Sequence, residues 1–191
     1  MGDVPERLTW AVENLDLSPT DRVLEIGCGR GVAVALVCER LTSGTVTAID
    51  RSETALRAAR LRNAPRVAAG RAVLHRATLE EADFPVAAFD KVFAVNVNLF
   101  WTHAPDEEAL AAVAALRRWL APGGVLCLCW EPPKGRRAEE IAGKVEPVVA
   151  AQGFATQVRA GMTAAGGQLV AVRAVAPVSD GEGEVGGRGE P

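Results

Sequence analysis

The chain has 191 residues, 49% of them apolar and 24% charged, which is enough for one domain with a substantial core and too few for two comfortable ones. A net charge of -3 and a pI near 5.5 supply no general basic field for phosphate backbones or anionic lipid, so nucleic acid is not the expected partner. No apolar run approaches the ~18 residues that a bilayer crossing needs, and MGDVPERLTW has neither a basic nor an apolar leader pattern; the expectation is a cytoplasmic protein with no membrane partner.

Along the chain, apolar spacing switches repeatedly between helical and strand periods. Leu8, Ala11, Val12 and Leu15 form a helical stripe, which Ser18-Pro19-Thr20-Asp21 ends. Val23 to Ile26 is a short apolar strand, followed by three glycines and a helical stretch from Val32 to Leu41. Thr45 to Asp50 is a β-branched strand, and Ser52 is placed to cap a helix running to about Asn63. Ala72 to Thr78 and Phe89 to Val97 supply a third and a fourth strand. Pro105, Asp106, Glu107 and Glu108 give the next helix an acidic first turn, suited to the positive end of its dipole, and Leu110, Val113, Leu116 and Leu120 carry its stripe to the stop signal Pro122-Gly123-Gly124.

A fifth strand is expected at Val125 to Glu131, then a helix from about Arg136 to Ala151, with Pro147 expected to kink or divide it. Thr156 to Met162 and Gln168 to Val175 are joined by a link too short for a crossover helix, which makes that pair antiparallel. The whole is an α/β fold: a doubly wound, Rossmann-like, seven-stranded sheet, mostly parallel, with an antiparallel C-terminal hairpin. Residues 1–176 read as one domain and 177–191, dominated by Gly and Glu, as a disordered tail. Cys28, Cys38, Cys127 and Cys129 fall inside these elements without metal-ligand spacing, so they read as buried free thiols and no metal site is expected.

Ligands of such a sheet bind beyond the carboxyl ends of its strands, where VLEIGCGRG ends the first strand. Its pattern is Glu-x-Gly-x-Gly-x-Gly, which differs from the GxGxxG of dinucleotide sites. The acid Glu25 would repel a pyrophosphate and suits a ligand with a cationic ammonium group. Gly27, Gly29 and Gly31 remove side chains that would keep a ligand off the backbone, with Cys28 between them. Asp50, followed by Arg51, ends the second strand, placed to accept from a ribose diol. A ribonucleoside with an amino-acid tail fits this set, and S-adenosylmethionine answers that description.

At these residues the chain resembles the class I S-adenosylmethionine-dependent methyltransferases, over nearly everything from Pro5 to Val175. EIGCGRG looks like the family's first motif, AID its ribose-binding acid, FDKVFAVNVNLFW its fourth-strand segment and LRRWLAPGGVLCL its helix, loop and fifth strand. The resemblance implies S-adenosyl-L-methionine as cofactor and methyl transfer as the reaction, with S-adenosyl-L-homocysteine as product. In this family an acid after the third strand binds the adenine amino group; aligned on His75-Arg76-Ala77-Thr78, Arg76 takes its place and has no acceptor to offer. Ala77 still offers backbone, Thr78 adjoins it, and Glu80, Glu81 or Asp83 could supply the acceptor.

Asn96 and Asn98 stand at the expected methyl end, and Asn96 lines the cofactor site or satisfies loop backbone instead. His103, in the loop after the fourth strand, is the candidate general base, and Glu131 ends the fifth strand within reach of an acceptor. The core has no room for a cap domain, so the acceptor pocket comes from the first helix, the late loops, the hairpin or a second subunit of a homodimer. A small-molecule acceptor is the expectation. The alternatives are a protein- or RNA-directed methyltransferase, although Asn96-Val97-Asn98-Leu99 lacks the Asn-Pro-Pro-aromatic signature of some amino-group methylating relatives, or a non-catalytic cofactor-binding scaffold.

Overall fold

A computed structural model describes residues 4–102 and 104–178. Helix α1 (Glu6–Glu13) precedes β1 (Arg22–Ile26), α2 (Val32–Arg40), β2 (Thr45–Asp50), α3 (Glu53–Arg62), α4 (Ala64–Ala68) and β3 (Ala72–Arg76). There follow β4 (Phe89–Val95), α5 (Leu99–Thr102), α6 (Glu107–Trp119), β5 (Leu120–Trp130), α7 (Ala138–Ala151), β6 (Ala155–Met162) and β7 (Gln168–Val175). The seven strands form one sheet in the order β3-β2-β1-β4-β5-β7-β6, parallel except that β7 runs antiparallel to both β5 and β6. This is the expected doubly wound topology with its antiparallel edge. The order reverses at β1, between β2 and β4, and that is where a crevice opens.

Both faces of the sheet are covered, which explains why the strands are apolar without alternation. Leu24 and Ile26 of β1 join Val113 and Leu116 of α6 and Ile141 and Val145 of α7 in one core. Val23 turns to the other face and packs with Val12 of α1, Val34 and Val37 of α2, and Leu56 of α3. All four cysteines are buried free thiols, and Cys127 and Cys129 lie with sulfurs 3.5 Å apart on one side of β5.

Local signals fix the ends of helices. The Ser52 hydroxyl accepts from the Ala55 amide at 3.2 Å, and the Asp106 carboxylate accepts from the Ala109 amide at 3.2 Å. Two expectations shift. α6 stops at Trp119, and β5 begins at Leu120 and passes through Pro122-Gly123-Gly124, where its pairing with β4 slips between Phe89↔Leu120 and Lys91↔Val125. A Cβ on Gly124 would lie 2.7 Å from the Ala121 carbonyl, so the glycines serve an irregular strand entry rather than a helix stop. α7 is one continuous helix containing Pro147, because its buried stripe of Ile141, Val145, Val148 and Val149 outweighs one lost backbone bond.

The link from β3 to β4, for which the sequence offered no element, crosses the sheet without a helix. Thr78 and Glu81 form a reciprocal capping pair there: the Thr78 amide donates to Glu81 Oε2 at 3.0 Å and the Glu81 amide to Thr78 Oγ1 at 3.3 Å. Pro85 forces Phe84 out of helical geometry, so only one turn forms. The ring of Phe84 then anchors the link by edge contacts with Phe89 and Trp119, each at 5.1 Å. No helix of the described residues is long and apolar enough to cross a membrane. Residues 179–191 of the expected tail lie outside the described residues.

Candidate functional site

A cavity of about 480 Å³ lies over the carboxyl ends of β1, β2, β3 and β4. Gly27, Asp50, Arg51, Ala77, Thr78 and Asn96, expected on sequence grounds to share a site, all line it. Leu79, Asn98, Leu99, Thr102 and Glu108 line it as well. His103, the candidate base, lies outside the described residues.

The glycine loop is held by β2. The amides of Gly27 and Cys28 both donate to the Ile49 carbonyl, at 2.9 and 3.0 Å, which wraps the loop over the strand end. All three glycines have positive φ, a region that side chains rarely adopt, yet they serve different contacts. A Cβ on Gly29 would meet nothing within 4 Å, leaving open space above the loop. A Cβ on Gly27 would lie 2.9 Å from Val97 Cγ2. One on Gly31 would stand 2.6 Å from Asn63 Nδ2 and 2.8 Å from Ala59 Cβ, so Gly31 makes room for α3 and not for a ligand. Asn63 completes that packing by donating to the Gly31 carbonyl at 2.9 Å. The Cys28 side chain is buried in the core beneath the loop, and burial pushes its thiol far above the ordinary range.

Glu25 is 3% exposed and lies under the loop on β1, outside the cavity lining. Its Oε2 is buried with no hydrogen-bond partner among the described residues. Burial, with the charge of Asp50 adding to it, pushes this carboxyl up to about 8. A buried polar oxygen without a partner is costly, so Glu25 has capacity for one further hydrogen bond. Asp50 is better served: Oδ2 accepts from the Gly29 amide and Oδ1 from the Ser52 amide, both at 2.8 Å, and each oxygen keeps a lone pair for a further donor.

The β3 end differs from the alignment drawn on sequence. Arg76 pairs in register with Asp50 but does not line the main cavity; Thr78 and Leu79 do. The Ala77 amide already donates to the Asp50 carbonyl at 3.3 Å, so its backbone donor is taken. Of the three candidate replacement acids, Glu81 holds the Thr78 amide and Asp83 pairs with Arg118 at 2.9 Å, while Glu80 lines the cavity. The Leu79 amide makes no hydrogen bond among the described residues. Sequence reasoning passed over Leu79; the Thr-x-x-Glu capping signature of Thr78–Glu81 was the available sign that the turn starts there.

At the far end, Asn96 has φ +57°, its amide donates to the Cys129 carbonyl at 2.9 Å, and its Oδ1 accepts from the Glu131 amide at 2.9 Å. It both lines the cavity and satisfies backbone, joining the two alternatives. Asn98 opens α5, where its carbonyl accepts from the Trp101 and Thr102 amides. Glu131 faces away from the cavity and pairs with Arg7 of α1 at 3.0 Å, tying the first helix to the end of β5.

Residues 23–124 match the profile of a family described as a methyltransferase domain. The chain is 38% identical over 134 residues to a protein-L-isoaspartate O-methyltransferase of Methylorubrum populi, covering 69% of this chain and 55% of that protein. It is 31% identical over 163 residues to a trans-aconitate 2-methyltransferase of Escherichia coli, covering 72% and 58%. It therefore spans little more than half the length of these two curated relatives. A SAM dependent methyltransferase from Aquifex aeolicus shares the fold at a TM-score of 0.69 and 19% identity, over 91% of this chain and 94% of that one.

Proposed function

Because this chain belongs to the class I S-adenosylmethionine-dependent methyltransferases, we propose that it methylates a small-molecule acceptor and that the cavity above β1 to β4 holds both donor and acceptor. The observation that carries this reading is the continuity of one 480 Å³ cavity, from the nucleoside end at Asp50 and Arg51 to a polar end at Asn98 and Thr102. A cavity of this size, with apolar walls and a few polar groups, suits a compact acceptor. The likeness to a trans-aconitate methyltransferase supports the small-molecule reading, and the likeness to an isoaspartate methyltransferase makes a protein acceptor the outcome to exclude.

The residues fit the cofactor. Asp50 accepts the ribose hydroxyls with the lone pairs that Gly29 and Ser52 leave open. Glu25, buried beside the cavity and outside its lining, would give its orphan oxygen a partner where the ammonium group reaches past the glycine loop. Gly27, Cys28, Gly29 and Gly31 shape the loop; Gly27 lines the cavity, and a Cβ on Gly29 would meet no atom within 4 Å. Arg51 and Thr78 flank the base, and Leu79 rather than Ala77 supplies the free amide beside it. Asn96 closes the methyl end. When bound, S-adenosylmethionine supplies a methyl group already made electrophilic by a positive sulfur. What remains for the chain is to hold the acceptor in line at near-attack distance and keep water out, with Val97, Leu79 and Leu99 as apolar wall.

The test is a transfer assay with methyl-labelled donor against small carboxylic acids, amines and phenols, alongside an isoaspartyl peptide and total RNA. Label in a small-molecule fraction is expected. Label confined to peptide or RNA would overturn the acceptor class, and no label in any arm would favour a binding scaffold.

A further inference from the structure

A second cavity of about 440 Å³ adjoins the first and shares Arg51, Ala77 and Thr78 with it. Arg76 and Glu81 complete its lining. Arg76 lines only this annex. Most arginines of the chain are engaged: Arg22 with Asp90, Arg60 with Glu53, Arg66 with Glu39 and Arg118 with Asp83 are examples. The exposed side chains of Arg51 and Arg76 make no hydrogen bond or ion pair within 4.0 Å to a described residue, although the Glu81 charge acts on Arg76. Glu81, the acid in the annex lining, accepts from the Thr78 amide and its charge also acts on Arg76, leaving two guanidiniums against one carboxylate.

Strand order decides which end of the cofactor faces this annex. The ribose belongs at Asp50 on β2, and the sulfur lies toward Asn96 on β4, so the base extends the other way, toward the end of β3. A purine is joined to ribose through its imidazole ring, and its opposite edge carries the 6-amino group. With the ribose at Asp50, that edge would face Arg51, Ala77 and Thr78, which the two cavities share. Thr78, short and fixed by its capping pair with Glu81, lines both cavities and puts less bulk between them than a longer acid would.

Resting on the cofactor assignment above, we infer that the cofactor site continues past the adenine edge into an annex lined by Arg51 and Arg76, which takes adenosyl ligands enlarged at the 6-amino group by an anionic substituent. The room comes from Thr78 and the preference for negative charge from two guanidiniums that lack protein acceptors.

Isothermal titration of the full chain with S-adenosylhomocysteine and its N6-ethyl and N6-carboxymethyl derivatives tests this. The ethyl derivative should bind within about threefold of the parent, because the annex has space for it. The carboxymethyl derivative should bind at least about threefold tighter than the ethyl one, an advantage that added salt screens. Arg76→Gln should remove that advantage and leave the parent's affinity unchanged. An ethyl derivative weaker than the parent by about tenfold or more would overturn the inference, and so would a carboxymethyl derivative no tighter than the ethyl one. Failure of the parent itself to bind would instead overturn the cofactor site on which the inference rests.

Discussion

The Gly29 amide donates to the Asp50 carboxylate at 2.8 Å, so the residue we propose as the ribose acceptor also fixes the glycine loop. Its other oxygen holds Ser52, the cap of α3. Loss of the carboxylate therefore removes ligand contacts and loosens the loop together. Asp50→Ala should weaken S-adenosylhomocysteine by about a hundredfold in calorimetric titration, the effect of two charge-assisted bonds. Asp50→Asn, which keeps one acceptor, should fall between. Unchanged affinity in the alanine variant would remove Asp50 from the site.

Glu25 sets a pH dependence. Its carboxyl, ordinarily near 4.5, is raised to about 8 by burial and by the neighbouring Asp50 charge. The folded chain thus holds a proton that the unfolded chain releases between those two values, and its stability should fall as pH rises from 4.5 to 8. Glu25→Gln should flatten that slope in denaturant titrations at both ends of the range. Binding of an ammonium group favours the ionised carboxylate, so affinity for S-adenosylhomocysteine should climb with pH until about 8, with proton release visible as a buffer-dependent heat. A pH-independent affinity would place the ammonium elsewhere.

Two glycines of one loop should respond differently to the same substitution. Gly29→Ala meets open space and pays mainly for its positive φ, about 1 kcal/mol of stability, yet the new methyl enters the ligand's volume and should abolish binding. Gly31→Ala drives a methyl into Asn63 and Ala59 and should cost at least about 2 kcal/mol in urea unfolding. Equal loss of stability in both variants would refute the division.

Asn96 combines strain with a long-range bond. Asn96→Ala keeps the left-handed backbone, loses the acceptor for the Glu131 amide, and should cost about 1–3 kcal/mol. Asn96→Gly loses the same acceptor but tolerates the φ, and should recover part of that cost. A glycine variant no more stable than the alanine one would show that the bond alone matters.

The strand and helix succession, the antiparallel close, the cap at Ser52, the acidic start of α6 and the cofactor class were legible along the chain, because each depends on residues a few positions apart. Glu25 and Asp50 were likewise legible as acids at the ends of neighbouring strands. Their surroundings were not. Gly31 reads like its two neighbours until Asn63, far along the chain, is packed against it. Arg76 takes the acid's place in a linear alignment, and only the turn locked by Thr78 and Glu81 brings Thr78 and Leu79 to the cavity instead.

Sequence by itself thus determined which chemical groups stand at the strand ends, since periodicity and capping are local and carry through any packing. Tertiary structure alone decided which of them are buried, paired or open: the orphan oxygen of Glu25, the spent amide of Ala77, the bond from Asn96 to Glu131. Those depend on segments distant in sequence competing for the same donors and the same space, and no local pattern encodes the outcome of that competition.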